Sequence, residues 1–285
     1  MNGAEADDAL IAVLAGLFGV APVLALAAAG VFARVGAALA VLPGLGERGI
    51  PMRVRLGVAL AITWLLTPLI SGFAAEAPRV PVALLLLLVA EAAAGLLIGV
   101  SFRLLVWALQ VAGTVASQSI SISHIFGNPV AGEAEPSLAS FLSMGGIALM
   151  LAGGLHVDAV AALAGLYAIL PFGLGLAGPA VADWSAARIA ETFALGLGLA
   201  TPFVLAGFAY NLTLGALSRA MPQLLVALVG APLLVGIGLA ALWLSLPDLF
   251  ARWEEARAAV AVDPLGGPGP GASPGGSIGG AGVMR

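Results

Sequence analysis

The chain has 285 residues, 61% of them hydrophobic and 9% charged, against about 45–50% and about 25% in an average soluble domain. So few charges cannot cover a soluble globule, and the composition indicates a polytopic membrane protein. The net charge of −4 is too small to point to nucleic acid or an acidic substrate, and the absence of Cys excludes disulfides, thiolate metal sites and cysteine nucleophiles.

Met1–Asp8 carries Glu5, Asp7 and Asp8 and no basic residue, which is unlike the start of a cleavable signal. The apolar stretch 9–33 is therefore expected to stay as a membrane helix, interrupted by Arg34 and continued by 35–46. A loop, Glu47–Arg55, precedes an apolar run over 56–75. The next run, 80–102, is broken only by Glu91. Residues 104–126 are uncharged but turn polar from Ser117, and the loop after them carries Glu133 and Glu135. Further runs cover 137–155, 159–182 with Pro171, 189–218 with Glu191, and 220–247 with Pro222 and Pro232. With about 20 apolar residues needed per span, this predicts an all-α membrane protein of roughly six to eight spans, with broken helices and hairpins. Barrel strands alternate over about 10 residues and do not fit such long runs. The cluster Arg48, Arg53 and Arg55 favours a cytoplasmic loop.

From Pro264 to Arg285, 13 of 22 residues are Gly or Pro. Such a segment has too few side chains to pack, which predicts a membrane domain over 1–263 and a disordered tail over 264–285.

Little in the chain suggests catalysis. The two histidines are His124, in a Ser-rich run, and His156, with Asp158 two residues on. Neither has a second His at helical spacing, and no nucleophile elbow, phosphate loop or zinc-protease motif is present. No enzyme activity, metal or cofactor is expected. Glu91 is the sharpest single residue. A carboxylate at midspan costs roughly 2.5–3.5 kcal/mol on insertion scales. It reads equally as a group buried in the bundle with a basic partner or on an ion path, or as part of a shallow span near water. Arg103 is twelve residues away, some 18 Å along one helix, so Arg34 is the better partner.

The polar residues Ser117, Ser119, Ser121 and Ser123 recur at every second position, with Ile120 and Ile122 between them. That is not a helical period. Non-helical backbone in a bilayer must be buried in protein or line a cavity. The stretch Ser117, Gln118, Ser119, Ile120, Ser121, Ile122, Ser123, His124, Ile125 and Phe126 is therefore a candidate channel plug or constriction, with an ordinary loop as the alternative.

Three segments resemble the flagellar biosynthetic protein FliR family: R-V-G-A-A-L-A-V-L-P-G-L-G-E-R-G-I-P-M-R-V-R-L (Arg34–Leu56), E-A-A-A-G-L-L-I-G (Glu91–Gly99), and N-L-T-L-G-A-L-S-R-A-M-P-Q-L (Asn211–Leu224) followed by G-A-P (Gly230–Pro232). They keep the family's order over about residues 10–250. The middle departs from the family, with Asn128 where an Asp is usual before Pro129. The resemblance implies a subunit of the flagellar type III export gate in the bacterial inner membrane and basal body. It implies assembly with FliP- and FliQ-type subunits and other export-apparatus membrane proteins, and a loop that plugs the channel for unfolded exported proteins. Glu91, Arg34, Arg53, Arg55, Pro51, Pro222 and Gln223 become candidate assembly residues. The corresponding subunit of a virulence type III system and a small-solute or ion transporter centred on Glu91 and Arg34 are the alternatives.

Overall fold

The structure is a computed structural model, and it describes residues 24–74, 81–119, 137–173, 176, 178–220 and 226–266. Seven helices carry the described chain: α1 Leu24–Val41, α2 Met52–Ala74, α3 Pro81–Ser119, α4 Ser137–Ala152, α5 Leu155–Ile169, α6 Gly178–Ala220 and α7 Val226–Val262. No strand occurs among the described residues. The expected all-α membrane architecture is therefore present. Helices this apolar on every face belong in a protein core or a bilayer.

Where the structure describes them, some helices run longer than the charge punctuation predicts. Among the described residues, four helices are long and apolar enough to cross a membrane, or five if α4 and α5 form one broken span. Arg103 shows why charges mark helix ends poorly. One Arg does not break a helix, so the runs 80–102 and 104–126 begin as one 39-residue helix, α3. That helix would be about 58 Å long at 1.5 Å per residue. It also carries Ser117, Gln118 and Ser119, which were expected to be non-helical. Ser119 Oγ donates to the Val115 carbonyl at 2.8 Å, so its hydroxyl is satisfied within the helix. Two of the breaks lie beside a Gly or a Pro, although Pro68 and Pro202 lie inside α2 and α6. Gly154, at φ 88°, separates α4 from α5, and Pro171 follows the end of α5.

The chain divides into two compact units. In the first, α1 buries Ala27, Val31, Arg34, Val35 and Ala38, a helical stripe. The α1–α2 loop turns at Gly44, with φ 82°, a left-handed angle that suits Gly. Arg55 clamps that loop: Nε donates to the Leu45 carbonyl at 2.9 Å and Nη2 to the Glu47 carbonyl at 3.2 Å. Pro51 and Arg53 are exposed beside it.

In the second unit, the later half of α3 is crossed by small-residue contacts. A Cβ on Gly113 would strike Ala139 of α4, and one on Gly196 of α6 would meet the Ala108 carbonyl at 2.8 Å. Trp253 of α7 is fully buried, and its indole N–H donates to the Leu105 carbonyl at 2.9 Å. The residues after α7 are anchored too. Ser101 Oγ donates to the Pro264 carbonyl at 2.7 Å, Trp184 Nε1 donates to the Leu265 carbonyl at 3.1 Å, and Leu265 is buried. The remainder of the expected tail, 267–285, lies outside the described residues.

Candidate functional site

Glu91 and Arg34 form the most strongly constrained polar cluster of the first unit. Both are buried, at 0% and 1% side-chain exposure. Glu91 sits one turn before Gly95 on α3. Gly95 and Gly99 lack side chains where α1 crosses: a Cβ on Gly95 would overlap the Arg34 carbonyl, and one on Gly99 would come to 2.5 Å from the Ala38 carbonyl. This small-residue spacing lets the two backbones touch, as in membrane helix pairs generally. The close approach carries Arg34 onto Glu91.

The pair is bidentate. Arg34 Nε donates to Glu91 Oε2 at 2.7 Å and Nη2 to Oε1 at 3.1 Å. The side-on geometry matches a planar guanidinium to a planar carboxylate. Arg34 Nη2 also donates to the Leu170 carbonyl at 3.2 Å. Pro171, the next residue, cannot prolong α5, and the orphaned carbonyl at the helix end finds a donor in Arg34. The Tyr167 ring lies 3.7 Å from the guanidinium carbon, and its hydroxyl makes a long 3.4 Å contact to Glu91 Oε2. The Gly173 N–H donates to Glu91 Oε1 at 2.8 Å from a backbone with φ 79°. Phe172 occupies the slot left by Gly30, where any Cβ would collide with its ring. One ion pair thus ties α1, α3, the end of α5 and the turn after it. Both carboxylate oxygens are engaged, so the cluster is a lock that offers no free oxygen to a moving ion, while Arg34 Nη1 is buried without a hydrogen-bond partner among the described residues.

Of the other residues picked out in sequence, Arg55 is committed to its own loop, while Arg53 is exposed. Ser117, Gln118 and Ser119 lie at the end of α3, whereas Ile120, Ser121, Ile122, Ser123, His124, Ile125 and Phe126 lie outside the described residues. Pro222 and Gln223 lie outside them too. His156 is exposed at the start of α5, beside an apolar cavity of about 220 Å³ lined by Leu39, Ile62, Ile98 and Leu163. Among the described residues, no group of three or more His, Cys, Asp or Glu is placed to hold a metal. Sequence reasoning missed Tyr167, Leu170 and Gly173. The available signal was the L-P-F-G run at the end of an apolar stretch, a turn with a Gly position.

Residues 25–259 match the family described as bacterial export proteins, family 1. The chain belongs to this family. It is 34% identical to the flagellar biosynthetic protein FliR of Caulobacter vibrioides over 229 residues, covering 80% of this chain and 91% of that protein. It is 31% identical to FliR of Pectobacterium carotovorum subsp. carotovorum over 220 residues, covering 76% and 82%. It is 29% identical to FliR of Escherichia coli strain K12 over 227 residues, covering 78% and 84%. Family membership and the apolar helices make this a membrane-embedded protein of the flagellar export apparatus. The match to the family contains the whole Arg34–Glu91 lock.

Proposed function

We propose that this chain is the FliR-type subunit of the flagellar type III export gate, in the inner membrane at the basal body. There it assembles with FliP- and FliQ-type subunits and helps close the channel through which unfolded flagellar proteins leave. The observation that carries this reading is likeness to a FliR over nearly all of that protein's length. The lock supports a subunit shaped for assembly rather than a carrier, because its buried charges are spent on each other. No catalytic role or cofactor is assigned, and the membrane domain is taken to run from residue 1 through the anchored residues after α7. The assembly residues are Arg34 and Glu91, which hold the first unit in shape; Pro51, Arg53 and Arg55 at the α1–α2 loop; and Pro222 and Gln223 between α6 and α7.

The plug is assigned to the segment from Ser117 to Phe126. Its first three residues, Ser117, Gln118 and Ser119, are helical and belong to α3. Small hydroxyls and Ile suit a dry, tight constriction.

The test is affinity purification of the tagged chain from a native membrane, with identification of the proteins that travel with it. Co-purification of FliP- and FliQ-type proteins is the expected result, and recovery of the chain alone from motile cells would refute the reading. In the assembled gate, deleting Ser119–Ile125 should make cells permeable to small ions or dyes. A tight membrane around an intact complex would remove the plug assignment and leave the subunit assignment standing.

A further inference from the structure

In the second unit, the groove between α6 and α7 is polar where the helices around it are not. It encloses about 400 Å³ and is lined by Gly198, Thr201, Pro202, Ser245, Asp248 and Arg252. Residues 192–218 of α6 and 226–247 of α7 carry no charge. The groove therefore opens within a stretch of α6 that is long and apolar enough to cross a membrane, where an ionisable group calls for a partner. Asp248 and Arg252 are exposed and one turn apart on α7, and neither makes a hydrogen bond or ion pair with a described residue. The rest of the groove takes donors. Ser245 Oγ donates to the Ala241 carbonyl at 2.6 Å and Thr201 Oγ1 to the Leu197 carbonyl at 3.2 Å, so each hydroxyl has only lone pairs left to offer. Pro202 has no N–H and lies inside α6, which leaves the Gly198 carbonyl without its helical donor. Gly198 is exposed, and a Cβ on it would meet no atom within 4 Å, so the groove is open beside these acceptors.

We infer that this groove receives a helix of another membrane subunit, which inserts a basic side chain beside Gly198 and sets an acidic one, about a turn away, against Arg252. A guanidinium or ammonium brings several donors and no acceptor. That is the complement of the Gly198, Thr201 and Ser245 oxygens and the Asp248 carboxylate. A lipid phosphate would pair with Arg252 but add acceptors to a site that lacks donors. A bare cation would be repelled by Arg252, which lines the same groove. Residues four apart on a helix lie on one face, so a second helix with opposite charges at the same spacing meets both Asp248 and Arg252. This inference rests on the gate-subunit reading and names the part of the chain that would receive a partner.

The experiment uses the full-length tagged chain, co-expressed with its export-apparatus neighbours. The chain has no Cys, so Thr201→Cys places a single thiol in the groove, to be labelled with a benzophenone maleimide. Irradiation in the membrane should give an adduct to a second integral membrane protein, and mass spectrometry should place it on an apolar helix containing Arg or Lys. Asp248→Arg should lower co-purification of that protein by about tenfold or more, since like charges brought together across an interface are costly, at unchanged amounts of chain in the membrane. Changing the mapped basic residue of the other protein to Asp should restore it. Gly198→Leu, which fills the groove without touching the charges, should also reduce co-purification. Asp248→Arg combined with Arg252→Asp keeps any pairing within α7 but reverses what a partner meets, so it should stay defective. Recovery in that double variant, or normal co-purification with both Asp248→Asn and Arg252→Gln, would overturn the inference. So would adducts to lipid only, adducts to a helix without Arg or Lys, or no adduct in an otherwise assembled complex. Failure of the unmodified chain to bring down any export-apparatus protein would overturn the gate-subunit reading, and this inference with it.

Discussion

Both units hold an Arg–Glu pair in an apolar helical setting, and the two pairs are built differently. Arg34 and Glu91 are 57 residues apart in sequence, and their hydrogen bonds close on each other, on Leu170 and on Gly173. Arg188 and Glu191 are three apart on one helix, with Glu191 28% exposed against 0% for Glu91; each pair leaves one guanidinium nitrogen, Arg34 Nη1 or Arg188 Nε, without a hydrogen-bond partner among the described residues. A pair drawn from separate helices can be wrapped by both and by the turn that follows a third. A pair on one helix shows its outer side to whatever packs there. The first arrangement stores tertiary structure, and the second ties together one turn of a single helix.

The largest expected effect comes from opening the first pair. Glu91→Leu or Arg34→Met alone leaves a buried charge uncompensated, which should destabilise the first unit by about 3–5 kcal/mol. The double variant should recover much of that loss, since replacing both charges by apolar groups is often neutral. Thermal unfolding of the purified chain in detergent reads the difference. A double variant as unstable as either single one would show that the lock depends on charge rather than on filled space. Gly95→Val should come next, at roughly 1–3 kcal/mol or more for overpacking, because its side chain would meet the α1 backbone rather than a yielding side chain. Normal stability of Gly95→Val would mean that α1 and α3 do not touch there.

The second unit offers a sharper cut near its end. Truncation after Asp263 removes buried Leu265 and the carbonyls that Ser101 and Trp184 use. Burying a Leu is worth roughly 1.5–3 kcal/mol, so this truncation should lower the stability of the second unit and reduce swimming. Truncation after Gly266 should leave both unchanged. Equal behaviour of the two truncations, scored by swarm diameter and by chain recovered in membranes, would show that the anchoring contributes nothing. The smallest effect separates two neighbouring arginines. Arg55→Ala should lose about 1–3 kcal/mol with its two carbonyl contacts, while Arg53→Ala should stay within about 0.5 kcal/mol. Reversal of that order would move the clamp to Arg53.

Much of the fold was legible in the residues. Long apolar runs without alternation can satisfy their backbone in a bilayer only as helices, and 61% hydrophobic content leaves no other class open. Where one helix ends was less legible. Charges marked the ends too often, as at Arg103, because a single charged residue perturbs the placement of a span without removing any backbone hydrogen bond. Pro171 and Gly154 were better guides, whereas Pro68 and Pro202 lie inside helices and mark no end. Pro171 and Gly154 change the backbone itself, and the breaks fall beside them.

The candidate site divides the same way. A carboxylate at position 91 inside an apolar run called either for a basic partner or for water near a shallow span, and elimination along the helix left Arg34 as the partner. That much is a property of the sequence, because the penalty for a lone charge depends on its surroundings being apolar and little else. Tyr167, Leu170 and Gly173 could not be read in advance. Their places depend on how closely α1 and α3 approach at Gly95 and on where α5 stops, and neither distance is encoded locally. The polarity of Arg188 and Glu191 was equally plain in the sequence. Only packing decided that one of their hydrogen-bonding groups would be buried without a partner, because satisfaction of a polar group is set by its neighbours in space.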